Sequence, residues 1–198
     1  MKYSAGIVSK LFWDIEAKKT AELFLKGMNK NEIKEYVLKE NIYQAPNDKR
    51  AKDIFGCVYK RIKSLDVELL EFMTKGDLEN LRIINMVSIM LNERIVFDFM
   101  YEVYRQKIIY GEIELTETDF NKFIEDKKSQ SEDVAKWTDY TISNIKQTIY
   151  RMLANAQFIR IDEMGKKIIK RPIINFDICR YLENNNMKSF LYAMTGEK

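Results

Sequence analysis

Only seven glycines and two prolines punctuate 198 residues, and that scarcity restricts the fold more than any motif does. Sheet-rich chains need turn residues about every 8–12 positions, and glycine and proline supply most of them. A chain so short of breakers must satisfy its backbone inside long helices, so the expected fold class is all-α, mainly helical. The 46% hydrophobic content is ordinary for a globular protein and excludes a disordered chain. The length suffices for one full-sized core or two small ones.

Apolar spacing places the helices. Val8, Leu11, Phe12, Ile15, Leu23 and Phe24 fit one side of a helix over residues 8–26, ended by Gly27. Asn29 and Glu32 have the spacing of a capping box and open a helix with Ile33, Val37 and Leu38 inward. After the Pro46-Asn47-Asp48 loop, residues 49–64 turn Ile54, Val58 and Ile62 toward a core, and a shorter helix runs over 66–74 to Gly76. Residues 78–109 are the densest apolar stretch, with a bend expected at Asn92-Glu93-Arg94. Its methionines and aromatics read as packing rather than a cofactor site. Residues 112–133 then hold eight carboxylates against three lysines, a net −5 that marks a boundary. The expected division is a helical bundle over 1–111 and a smaller unit over 112–198.

The second unit begins with a helix capped by Thr116 and Asp119 and a shorter one over 131–137. A turn at Trp137-Thr138-Asp139 leads into a third helix with Ile142, Ile145, Ile149, Met152, Leu153 and Ala156 on one face. Its opposite face carries Tyr140, Ser143, Asn144, Gln147, Tyr150 and Arg151, flanked by Lys136 and Lys146. Directly afterwards 158–162 and 167–170 read as two short strands joined through Glu163-Met164-Gly165-Lys166, where Gly165 supplies a positive φ. This hairpin holds Arg160, Lys166, Lys167, Lys170 and Arg171 against Asp162 and Glu163, a net +3. Two helices, a turn, a third helix and a hairpin are the order of a winged helix, and a basic wing beside a polar helix suits nucleic acid. Lysines on an exposed sheet edge also serve to prevent strand pairing, so both readings stand at this point.

A second basic cluster lies over residues 46–65, where Lys49, Arg50, Lys52, Lys60, Arg61 and Lys63 stand against Asp48 and Asp53, a net +4. These six are expected at the ends and outer side of their helix, as a solvated face or as a phosphate-binding stripe. The candidate nucleic-acid-binding residues are therefore Tyr140, Ser143, Asn144, Lys146, Gln147 and Arg151 on the helix, Lys166, Lys167, Lys170 and Arg171 on the wing, and those six cations.

Other chemistry is thinly supplied. The chain has no histidine, which removes Ser-His-Asp and Cys-His catalysis and imidazole metal ligands. It has neither a Walker loop nor a GxGxxG turn, so no enzyme, catalytic residue, metal, cofactor or small-molecule substrate is expected. Cys57 and Cys179 lie far apart in apolar settings and read as reduced thiols of a cytoplasmic protein. No apolar run reaches about 18 residues, and the N-terminus has no signal-peptide pattern.

Several local motifs add a resemblance. The opening Tyr3-Ser4-Ala5-Gly6 with Phe12-Trp13 and Glu16, the stretch Glu35-Tyr36-Val37-Leu38-Lys39-Glu40-Asn41, the turn Trp137-Thr138-Asp139-Tyr140-Thr141 and Leu153-Ala154-Asn155-Ala156 together resemble the BrxA family. These are small NusB-like proteins of bacteriophage-exclusion (BREX) defence systems. The resemblance spans nearly the whole chain and implies a NusB-like N-terminal helical bundle, a winged-helix-like C-terminal unit and a DNA-associated role in phage defence alongside other defence-system proteins. It implies no catalytic residues. Duplex DNA binding leads; a protein-interaction adaptor, an RNA-binding NusB-like protein and, last, a carboxylate hydrolase are the alternatives.

Overall fold

Phe12 settles where the first long helix begins. In the computed structural model, which describes residues 2–196, its carbonyl oxygen accepts from Arg61 Nη1 and Asn85 Nδ2, both at 2.8 Å. Two buried donors hold that carbonyl out of a helical ladder, and Trp13 turns into the left-handed region at φ 49°. The helix expected over 8–26 is therefore interrupted: Ala5–Ser9 forms a separate 3-10 turn, and α1 (Asp14–Leu25) starts afresh. The break resets the helical phase, and Val8 and Ile15, placed inward by an unbroken period, are exposed.

The chain divides into two compact units, Phe12–Asn92 and Met1–Leu11 with Glu93–Lys198. The cut expected at 111/112 lies inside the second of these. In the unit Phe12–Asn92, α1 is followed by α2 (Lys30–Glu40), α3 (Asp48–Lys63), α4 (Val67–Lys75) and α5 (Leu78–Asn92). The capping box forms as its spacing predicts, with Asn29 Oδ1 accepting from the Asn31 and Glu32 amides while Glu32 accepts from the Asn29 amide. Helix α1 packs on α3, α4 and α5, burying Ala17, Ala21, Ile54, Val58, Ile62 and Ile84. Each such aliphatic side chain larger than alanine contributes roughly 1.5–3 kcal/mol.

In the other unit Glu93 is extended, as the expected bend requires, and starts α6 (Arg94–Phe99), a π-helical turn over Met100–Tyr104, and α7 (Arg105–Ile109). Next come β1 (Glu114–Leu115), α8 (Glu117–Gln130), α9 (Glu132–Ala135), α10 (Asp139–Asn155), β2 (Ile159–Ile161) and β3 (Lys167–Ile169). Two helices close the chain, α11 (Phe176–Asn184) and α12 (Lys188–Thr195). The sheet is antiparallel in the order β1-β3-β2, with Ile168 opposite both Glu114 and Arg160. The hairpin is present but shorter than 158–162 and 167–170, and it gains a third strand from within the acidic stretch.

An aromatic cluster joins α8 and α10 to α6: five of the six ring pairs among Phe99, Phe120, Phe123 and Tyr150 lie 5.3–6.2 Å apart, centroid to centroid. Tyr150 is thus corrected from the polar face of α10 to the interior. Its hydroxyl donates to Thr116 O at 3.3 Å, and burial raises its pKa. Lys127, only 3% exposed, is held by Glu102 at 2.5 Å and Asp98 at 3.5 Å. Cys57 and Cys179 are half-buried and form no disulfide.

Candidate nucleic-acid interface

Helix α10 begins where Thr138 accepts the Thr141 amide at 3.2 Å, and its buried stripe is Ile145, Ile149, Met152 and Leu153. That stripe faces the 3-10 turn Ala5–Ser9 and β2. At roughly 100° per residue, Tyr140, Ser143, Asn144, Gln147 and Arg151 share the outward arc. Tyr140 (79% exposed), Gln147 and Arg151 stand free of the surface, whereas Ser143 and Asn144 are half-buried.

The wing is hydrogen-bonded at both ends. At its tip Asp162 Oδ1 accepts from the Met164 and Lys166 amides at 2.9 and 2.8 Å. The Asp162 amide donates to Lys166 O, and Gly165, at φ 77°, donates to Asp162 O, each at 3.0 Å. This Asx-type turn leaves Met164 82% exposed. At its base the Lys170 amide donates to Phe158 O at 2.8 Å. The Tyr104 hydroxyl shares its proton between Lys170 O at 2.6 Å and Phe158 O at 3.2 Å. Burial raises the Tyr104 pKa, so the hydroxyl remains a donor. A π-helical turn thereby positions the hydroxyl that ties down the wing.

The cations sort into those that are spoken for and those that are not. Glu117, at the start of α8, accepts from Lys146 of α10 and from Lys167 of β3, the latter at 3.5 Å. The two ammoniums also lie over the rings of Phe120 and Tyr150. Lys146 and Lys167, both expected among the nucleic-acid-binding residues, are thus ion-paired within the fold and link α8, α10 and the sheet. Glu117 escaped the sequence reading, although its place beside the Thr116 cap marked it as a first-turn carboxylate. Arg160, Lys166, Lys170 and Arg171 remain exposed. In α3, Arg61 is corrected from the outer side to the interior, 1% exposed, and Arg50 lies over Trp13. Lys49, Lys52, Lys60 and Lys63 are exposed as expected.

The hydrogen bond from Lys146, with the charge of Lys167, holds the Glu117 carboxyl below its usual range. A depressed carboxyl stabilises the fold above its unfolded pKa of about 4.3, and that contribution disappears as pH falls through the folded value. Glu117 is more than half exposed, so Glu117→Gln is expected to cost under about 1 kcal/mol. The difference from wild type should be constant between about pH 6 and 8 and shrink below pH 4.3, as measured by urea unfolding at several pH values. A difference that grows on acidification would remove the ion pair as its cause.

Among the described residues no group of three or more acidic or cysteine side chains could hold a metal ion. A cleft of about 280 Å³ lies between α7 and α8, where Glu102, Glu112, Asp119 and Asp126 outnumber Lys107 and Lys122, and Lys107 is already ion-paired to Glu112 and Asp119, a net negative lining that disfavours phosphate. Among the described residues no helix is long and apolar enough to cross a membrane.

The fold has a solved counterpart. A crystal structure of an uncharacterized protein from Magnetospirillum magneticum superposes with a TM-score of 0.84 over 100% of both chains at 19% identity. At the level of family, BrxA matches residues 1–186. A curated BREX protein BrxA from Bacillus cereus (strain H3081.97) is 36% identical over 195 residues, covering 98% of this chain and 97% of its own. The chain belongs to the BrxA family of BREX phage-defence proteins.

Proposed function

We propose that this BREX component is a non-enzymatic, cytoplasmic DNA-binding protein that grips duplex DNA through a winged-helix-like unit within residues 112–198. The observation that carries the reading is the wing: a hairpin locked at tip and base that presents Arg160, Lys166, Lys170 and Arg171 to solvent beside the exposed face of α10. The sheet order β1-β3-β2, with α10 running into the hairpin, supports it. In this arrangement Tyr140, Gln147 and Arg151 are placed for base edges, and the wing cations for phosphates.

A second reading, docking of another defence-system protein, has its own observation in Ile173 and Phe176, which are 86% and 74% exposed after the wing. Mobility shifts with duplex DNA, single-stranded DNA and RNA at two salt concentrations separate the readings. The expected result is duplex binding that weakens steeply with salt, because each neutralised phosphate releases counterions. Preference for RNA, or no shift with any nucleic acid, would reject the duplex assignment.

A further inference from the structure

We infer that the outer face of α3 is a second duplex-DNA surface, on which four lysines grip the phosphate backbone around a bare glycine. It shares no residue with the wing and stands independently of it. Arg50 and Arg61 are drawn toward Trp13, with ring distances of 5.4 and 5.7 Å. Lys49, Lys52, Lys60 and Lys63 point the other way, all exposed, and among the described residues none of the four is ion-paired. At 100° per residue they occupy an arc of about 80°, with Asp53 at its border. From Lys49 to Lys63 the stripe runs about 21 Å at 1.5 Å per residue.

Gly56 lies on the same arc, midway between the two lysine pairs. It is exposed in the middle of α3, and a Cβ placed there would meet nothing within 4 Å. Nothing inside the chain requires this glycine, and an alanine would make the better helix. What glycine provides here is uncovered helix backbone, which matters when something outside the chain comes close.

The chemistry of the stripe selects the visitor. Protein interfaces centre on apolar and aromatic groups and are depleted in lysine, whereas no apolar side chain falls within this arc. An anionic bilayer would need apolar residues between the lysines to enter the acyl boundary, and those of α3 face its core. Rows of phosphates, one charge per about 1.7 Å of duplex axis, need only cations and close approach.

The test uses the full chain and a short fluorescent duplex, by anisotropy across a salt series with melting measured in parallel. Gly56→Ala and Gly56→Leu are both expected to raise the melting temperature, by about 2–4 °C for alanine. Both should nevertheless weaken binding, leucine by about tenfold. Replacing the four lysines with glutamine should flatten the salt slope by about three to four units. With Arg160, Lys166, Lys170 and Arg171 already neutralised, the same changes should abolish the binding that remains. Glycine variants that are more stable and bind as wild type, with a salt slope untouched by the lysine changes, would overturn the proposal. So would lysine changes that alter sedimentation but not DNA affinity, which would make the stripe a protein interface. The winged-helix reading fails differently, through wing neutralisation that leaves affinity unchanged.

Discussion

Replacing Arg160, Lys166, Lys170 and Arg171 together with serine is expected to lower duplex affinity about a thousandfold at 0.15 M salt. Each phosphate contact contributes about 0.9 to the slope of log affinity against log salt. Extrapolated from about 1 M, where the electrostatic part vanishes, to 0.15 M, that is roughly fivefold per contact, and four contacts multiply to about 10³. The hairpin itself should survive. Its tip is held by Asp162 and main-chain groups, its base by Tyr104 and the Phe158–Lys170 bond, and none of these uses a replaced side chain. Circular dichroism and melting should therefore match wild type while the salt slope falls by about 3.6. Gln147→Ala should do the reverse, leaving the slope in place while narrowing the gap between preferred and random duplexes. If the fourfold variant keeps its slope, the wing is not the phosphate-binding element.

The helical content, the Asn29 and Thr116 capping boxes, the bend at Glu93 and the hairpin were legible because each rests on near neighbours in sequence. What escaped was non-local. Strand β1 is two residues long, too short for any period, and exists because β3 offers it a partner. The interruption before α1 depends on Arg61 and Asn85, donors far along the chain from Phe12. The ion pairs of Lys146 and Lys167 depend on Glu117, whose partners are set only once α8, α10 and β3 are assembled.

One further error has a plain cause. Arg61 follows Ile54 by seven residues, so the helical period placed it on the buried face. Residue type argued for solvent, and the structure followed the period. Charge alone is thus a poor guide to the interface: the period of α3 divides its six cations into four lysines outside and two arginines turned inward. The sorting matters for function, since only the outer set can neutralise phosphates without dismantling the helix that carries it.

Arg61→Ala is accordingly expected to act on stability rather than on DNA. The substitution empties the volume of a side chain that is 1% exposed, removes one of the two donors on the Phe12 carbonyl and takes away the guanidinium beside Trp13. Large-to-small changes in a core cost about 2–5 kcal/mol, and a weakened buried hydrogen bond adds to the loss, so a total near 3 kcal/mol is reasonable. For a chain of this size that lowers the melting temperature by about 6–12 °C. The exposed Lys63, two positions on, provides the contrast: Lys63→Ala should stay within about 0.5 kcal/mol of wild type. Below its melting range the folded Arg61→Ala chain should bind duplex with a wild-type salt slope, because a buried guanidinium neutralises no phosphate. A variant that melts like wild type yet loses salt-dependent affinity would put Arg61 back on the surface as a DNA ligand and refute its place in the core.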